Sequence, residues 1–177
     1  MFSLFDPTAY ENMKIVMEGL LYDKDLAGQI SIIDRNELIN TAKLSRTFEI
    51  TFQDRESVKA SCTFIMQAAL ENLAAELHPA LLSEKLSGCM ISIRFSFSQK
   101  NEPEQTAGID RLMKAIWGEN RSITQTVSYD PLRKPDTVQN ITEITFGRLI
   151  YEDQIDDLAL LSDHMAECLR KLEDVLF

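Results

Sequence analysis

The stretch Cys89-Met90-Ile91-Ser92-Ile93-Arg94-Phe95-Ser96-Phe97-Ser98 decides the fold class. Cys89, Ile91, Ile93, Phe95 and Phe97 fall on one side of an extended chain; Ser92, Arg94, Ser96 and Ser98 fall on the other. Side chains alternate along a strand with a period of two, so this strand turns one face to a core and keeps one polar face. Parallel sheets are covered on both faces and read as continuous apolar runs. A half-polar strand instead predicts an antiparallel or mixed sheet covered on one side.

C-terminal to this strand, residues 101–105 read as a polar loop. Ile109, Leu112, Met113, Ile116 and Trp117 then form a helical stripe that Gly118 ends. Ile123, Gln125, Val127 and Tyr129 predict a further strand, and the proline-containing segment 130–136 a turn. Val138 to Tyr151 reads as a long strand with a candidate bulge at Gly147. The last helix is predicted from Glu152 to Val175. Leu158, Met165 and Leu172 share one heptad position, and Leu161, Cys168 and Val175 share the position three later. Packing on a sheet produces this pattern; a dimeric coiled coil is the competing reading.

N-terminal to the strand, Asp6 caps a helix whose first residue is Pro7, with Phe5 and Tyr10 as a hydrophobic staple. Tyr10, Met13, Met17, Leu20 and Leu21 mark its apolar face, which fades between Asp23 and Gly28. Residues 29–34 are strand-like, whereas 37–44 follow neither period. Phe48, Ile50 and Phe52 alternate with polar residues as a strand does. Residues 57–77 admit two readings, one long helix or a second hairpin strand followed by a helix. The Val, Cys, Thr, Phe and Ile gathered before Gln67 favour hairpin then helix. His78-Pro79 ends that helix, and a short helix over residues 79–86 closes at Gly88. The predicted architecture is α+β, a single domain over residues 1–177. Its antiparallel or mixed sheet is covered on one face by helices, the long C-terminal amphipathic helix among them.

The 177 residues are 45% apolar and carry a formal charge of −10, which suits one globular core. A field of that sign repels phosphate backbones and anionic membrane, so neither nucleic acid nor membrane is an expected partner. No signal-peptide pattern or membrane-length apolar run is present, and the three cysteines are odd in number and far apart. A cytoplasmic protein with reduced thiols is the expectation.

Glycine-rich phosphate loops, nucleophile elbows and zincin motifs are absent from the sequence. Arg94, Tyr129 and Arg148 would line a ligand site if the polar strand faces formed one concave surface. His164 and Cys168 lie one helical turn apart, as two metal ligands must, although Cys168 sits at a core position. Glu152, Asp153, Asp156 and Asp157 suit a hard cation or the positive end of a helix. His78 suits a general base or a helix cap, and Cys62 and Cys89 read as buried thiols. No cofactor is expected. The functional expectation is a non-enzymatic protein-interaction or regulatory domain that forms a homodimer. The alternative is a small-ligand-binding or enzymatic domain working on the polar sheet face.

Overall fold

The computed structural model describes residues 9–78, 83–133 and 135–176. The proposed Asp6 cap and Phe5 staple, and the first half of the predicted 79–86 helix, lie outside them; Glu84–Leu86 forms a 3-10 turn. In chain order the elements are α1 (Ala9–Leu26), β1 (Ile30–Asn40), β2 (Ser45–Asp54), β3 (Ala60–Ala68), α2 (Leu70–Leu77) and β4 (Cys89–Lys100). There follow α3 (Pro103–Trp117), β5 (Ser122–Ser128), β6 (Thr137–Ile150) and α4 (Asp157–Leu176). Residues 57–77 are thus a strand followed by a helix. Among the described residues no helix is long and apolar enough to cross a membrane.

The fold is α+β with one antiparallel sheet in the order β1-β2-β3-β4-β6-β5. The chain meanders through β1, β2 and β3. It then crosses over through α3 to lay β5 on the far edge, and β6 fills the gap. One continuous core lies on the helix-covered face. Ile91, Ile93, Phe95 and Phe97 of β4 join Phe48, Ile50 and Phe52 of β2 and Cys62, Phe64 and Met66 of β3. The helices meet them with Tyr10, Met13, Met17 and Leu21 of α1, Ile109 and Met113 of α3, and Leu158, Met165, Cys168 and Leu172 of α4. The apolar seam of α4 is therefore occupied by its own sheet, which displaces the coiled-coil reading. Val175, assigned to that seam by periodicity, is 46% exposed.

Beneath α3 the inner face is polar. Asn140, Thr142 and Gln99 are all buried. Asn140 Nδ2 donates to Gln99 Oε1 at 2.7 Å and to Gln125 Oε1 at 2.8 Å, and Thr142 Oγ1 donates to Asn140 Oδ1 at 3.0 Å. Gln99 Nε2 donates onward to Thr106 Oγ1 of α3 at 2.7 Å. Buried amides tolerate such a place only when paired, so this network fixes where α3 sits.

Candidate functional site

The sheet ends in two unlike edges. β5 is short, and its residues Ser122–Ser128 are mostly Ser, Thr and Gln. β1 runs for 11 residues and pairs only with β2. A bulge at Ile33 interrupts it, after which Asp34 to Asn40 run in unbroken register against Thr51 to Ser45. Arg35, Glu37 and Ile39 stand opposite Ile50, Phe48 and Arg46, on the helix-covered face. Asp34, Asn36 and Leu38 occupy the open face.

Charges sit on the covered face of β1 because α1 runs alongside and answers them. Glu18 accepts from Arg35. Lys14 Nζ binds Glu11 at 2.8 Å and Glu37 at 3.1 Å. Arg46 bridges Glu11 and Glu37 at 2.5 Å each and stacks over the Tyr10 ring, 4.5 Å from its centroid. Burial pushes the Glu11 and Glu37 carboxyls upward, but hydrogen bonds and charge from Lys14 and Arg46 outweigh it and hold both below the usual range. Lys14 loses some basicity to burial and regains more from the two glutamates, so its pKa is raised.

Outside this ion-paired seam the edge exposes three large apolar side chains among Asp34, Asn36 and Asn40. Ile33 is 51% exposed, Leu38 52% and Ile39 66%. On α1, Ile15, Tyr22 and Leu26 are also exposed. With Gly19 they form a strip at helical spacing on the side of α1 turned away from the buried Tyr10, Met13, Met17 and Leu21. A Cβ placed on Gly19 would meet no atom within 4 Å.

On the open face, Arg94 lies between Thr63 of β3 and Glu143 of β6. Tyr129 follows Ser128, which pairs with Gln139, while Arg148 lies beyond Thr145 at the other end of β6. At ~3.3 Å per residue, Tyr129 and Arg148 are roughly 30 Å apart. The three residues do not converge on one site.

Arg148 borders both an open-face depression with Gln67, Met90, Ser92 and Glu143 and a cavity on the helix side. Gly147 adopts a positive φ of 67°, and the pairing slips so that Met90 faces Leu149 whereas Ser92 faces Thr145. This bulge positions Phe146 and Arg148 beside the end of α3 and the start of α4. They help line a cavity of about 250 Å³, together with Trp117, Arg121, Leu158 and His164. The Trp117 ring meets Phe146 edge-on at 6.4 Å and His164 at 5.0 Å. Its indole N–H donates to Cys168 Sγ at 3.3 Å, and His164 Nε2 lies 2.9 Å from the Ile116 carbonyl. A carbonyl can only accept, so Nε2 carries the proton.

His164 and Cys168 are thus both engaged in holding α4 against α3. Burial pushes the Cys168 thiol up to about 12, although the Trp117 hydrogen bond favours its thiolate. Cys62 and Cys89 are buried, and burial raises both thiols as well. Among the described residues no group of three His, Cys, Asp or Glu is placed to hold a metal ion. Of the acidic run, Glu152 and Asp153 belong to a separate 3-10 turn and only Asp157 lies in the first turn of α4. The Glu152 carboxylate accepts from Asn12 of α1. His78 is the C-cap of α2, its backbone N–H bonded to Ala74 O.

Sequence reasoning missed the edge seam and Arg121. The alternation of Arg35 and Glu37 was the available signal for the first. Nothing local marks Arg121, which meets Phe146 only after folding. No protein-family model, curated protein or solved structure matches the chain.

Proposed function

We propose that this chain is a protein-interaction domain that self-associates by pairing β1 with β1 of a second copy, continuing the sheet across a two-fold axis. The observation that supports this most is the long, one-sided β1 edge with exposed Ile33, Leu38 and Ile39. An unpaired edge is a template for another strand, and two identical edges meet naturally in a two-fold dimer.

The register follows from parity. A two-fold axis normal to the sheet keeps both helix layers on one side and sets one residue opposite its own copy. Centring on Asp34, Arg35 or Glu37 places like charges face to face. Centring on Asn36 pairs Arg35 with Glu37 twice and Ile33 with Ile39 twice. Opposite charges and apolar pairs directly across a sheet are stabilising, and like charges are not.

Sedimentation velocity over a concentration series tests the proposal. A reversible monomer–dimer equilibrium is expected, shifted to monomer by Ile39→Lys. A monomer at every concentration, or a dimer indifferent to Ile39→Lys, contradicts it.

A further inference from the structure

We infer that the cavity between Trp117, Phe146 and His164 is a binding site for a small aryl carboxylate. Its volume of about 250 Å³ equals the liquid volume of about eight waters. That suits a single ring with a short acidic arm. The walls are apolar and aromatic: Trp117, Phe146, Ile91, Ile150, Leu158 and Leu161. Trp117 cannot swing away freely, because its N–H is held by Cys168 and its ring by Phe146, Phe95 and His164. A pocket whose rings are already fixed loses little ordering entropy when a ligand enters.

The anionic end is read from two guanidinium groups. The chain carries a charge of −10, and eight of its cations form ion pairs among the described residues. Arg121 and Arg148 are not among them: neither forms an ion pair among the described residues, although Asp157 lines the same cavity. Arg121 lies over the Phe146 ring, 4.7 Å from its centroid. Arg148 donates to Gln154 Oε1 at 2.9 Å and to the Leu149 carbonyl at 3.2 Å, both uncharged acceptors. A carboxylate at the mouth would engage both guanidinium groups by charge-assisted hydrogen bonds. His164 Nδ1 remains an acceptor in the neutral ring, suited to a hydroxyl on the ligand. Asp157 also lines the cavity and opposes a second negative charge, which restricts the class to monoanions. This site is separate from the β1 edge and stands whether or not the chain dimerises.

Trp117 is the single tryptophan, so its fluorescence and its one indole N–H resonance report on this cavity alone. Phenylacetate and its neutral isostere phenylacetamide are titrated into the full-length chain. Phenylacetate is expected to shift the indole resonance saturably below about 10 mM, as a ligand of this size allows. Phenylacetamide should bind about tenfold more weakly or worse, because it leaves the guanidinium groups without an anion. Arg148→Gln and Arg121→Gln should each abolish the preference for the acid, and Asp157→Asn should tighten phenylacetate several-fold. Lys114→Gln, outside the cavity, should change nothing. An unshifted indole resonance with both compounds overturns the inference. So does equal affinity for acid and amide, or a preference that survives both arginine substitutions in variants with a native-like spectrum.

Discussion

Exchanging the charges of the β1 seam gives the sharpest prediction for self-association. In the Asn36-centred register Arg35 faces Glu37 of the other copy, twice per dimer. Arg35→Glu turns both pairs into glutamate on glutamate, and Glu37→Arg turns both into arginine on arginine. Each cross-strand ion pair contributes about 0.5 kcal/mol, and the like-charged pair costs about as much. Two pairs changing sign cost about 2 kcal/mol, which weakens the dimer about thirtyfold. Mixing the two variants restores both attractions. In the mixed dimer one copy carries glutamate at both positions and the other arginine at both, so each glutamate again faces an arginine. Within the chain, Arg35 also binds Glu18 and Glu37 binds Lys14 and Arg46, so melting curves must accompany the experiment. Sedimentation of each variant alone and of the equimolar mixture provides the assay. Equal weakening in the mixture, or no weakening in either variant, refutes the register.

The other predictions concern the fold that presents the edge. Asn140→Leu removes the donor to Gln99 and Gln125 Oε1 and the acceptor of Thr142, leaving buried polar atoms unpaired; urea unfolding should show a loss of about 3 kcal/mol. The carboxyls of Glu11 and Glu37 sit below their ordinary pKa, so their contribution is full above about pH 4.3, the unfolded value, and is lost as pH falls through the folded values. Lys14, raised, contributes below about pH 10.4 and loses that as pH rises through its folded value. Glu37→Gln should therefore flatten the acid limb of Tm against pH, and an unchanged limb would show that the seam is not part of it.

The alternation of residues 89–98 was enough to predict a half-covered antiparallel or mixed sheet, because there the hydrophobic effect alone decides the face; the interior place of β4 in the strand order was not legible. The α4 periodicity was legible for the same reason, with Leu158, Met165 and Leu172 all buried. β1 was legible only to residue 34. Beyond it the covered face is satisfied by ion pairs with α1 rather than by burial, so Arg35 and Glu37 carry no apolar signature. The network beneath α3 escaped notice on similar grounds: Asn140 and Thr142 look like solvent-facing strand residues until Gln99, Gln125 and Thr106 close around them. Arg94 and Arg148 were rightly read as sheet residues and Tyr129 falls just past the end of β5, but register rather than pattern sets their separation. A single residue, Gly147, signalled the bulge that lets Arg148 border the Trp117 cavity as well as the open face.

Cysteine substitution along β1 tests the central claim most directly. Cys62, Cys89 and Cys168 are buried and leave a clean background. Residues directly opposite in an antiparallel pair have Cα atoms about 4.5–5.5 Å apart, within the range a disulfide spans. Asn36→Cys should oxidise to a covalent dimer. Asp34→Cys and Leu38→Cys, whose copies stand roughly 13 Å apart in this register, should remain monomeric on a non-reducing gel. Cross-linking at Asp34 or Leu38 instead of Asn36, or at none of them, would contradict the account.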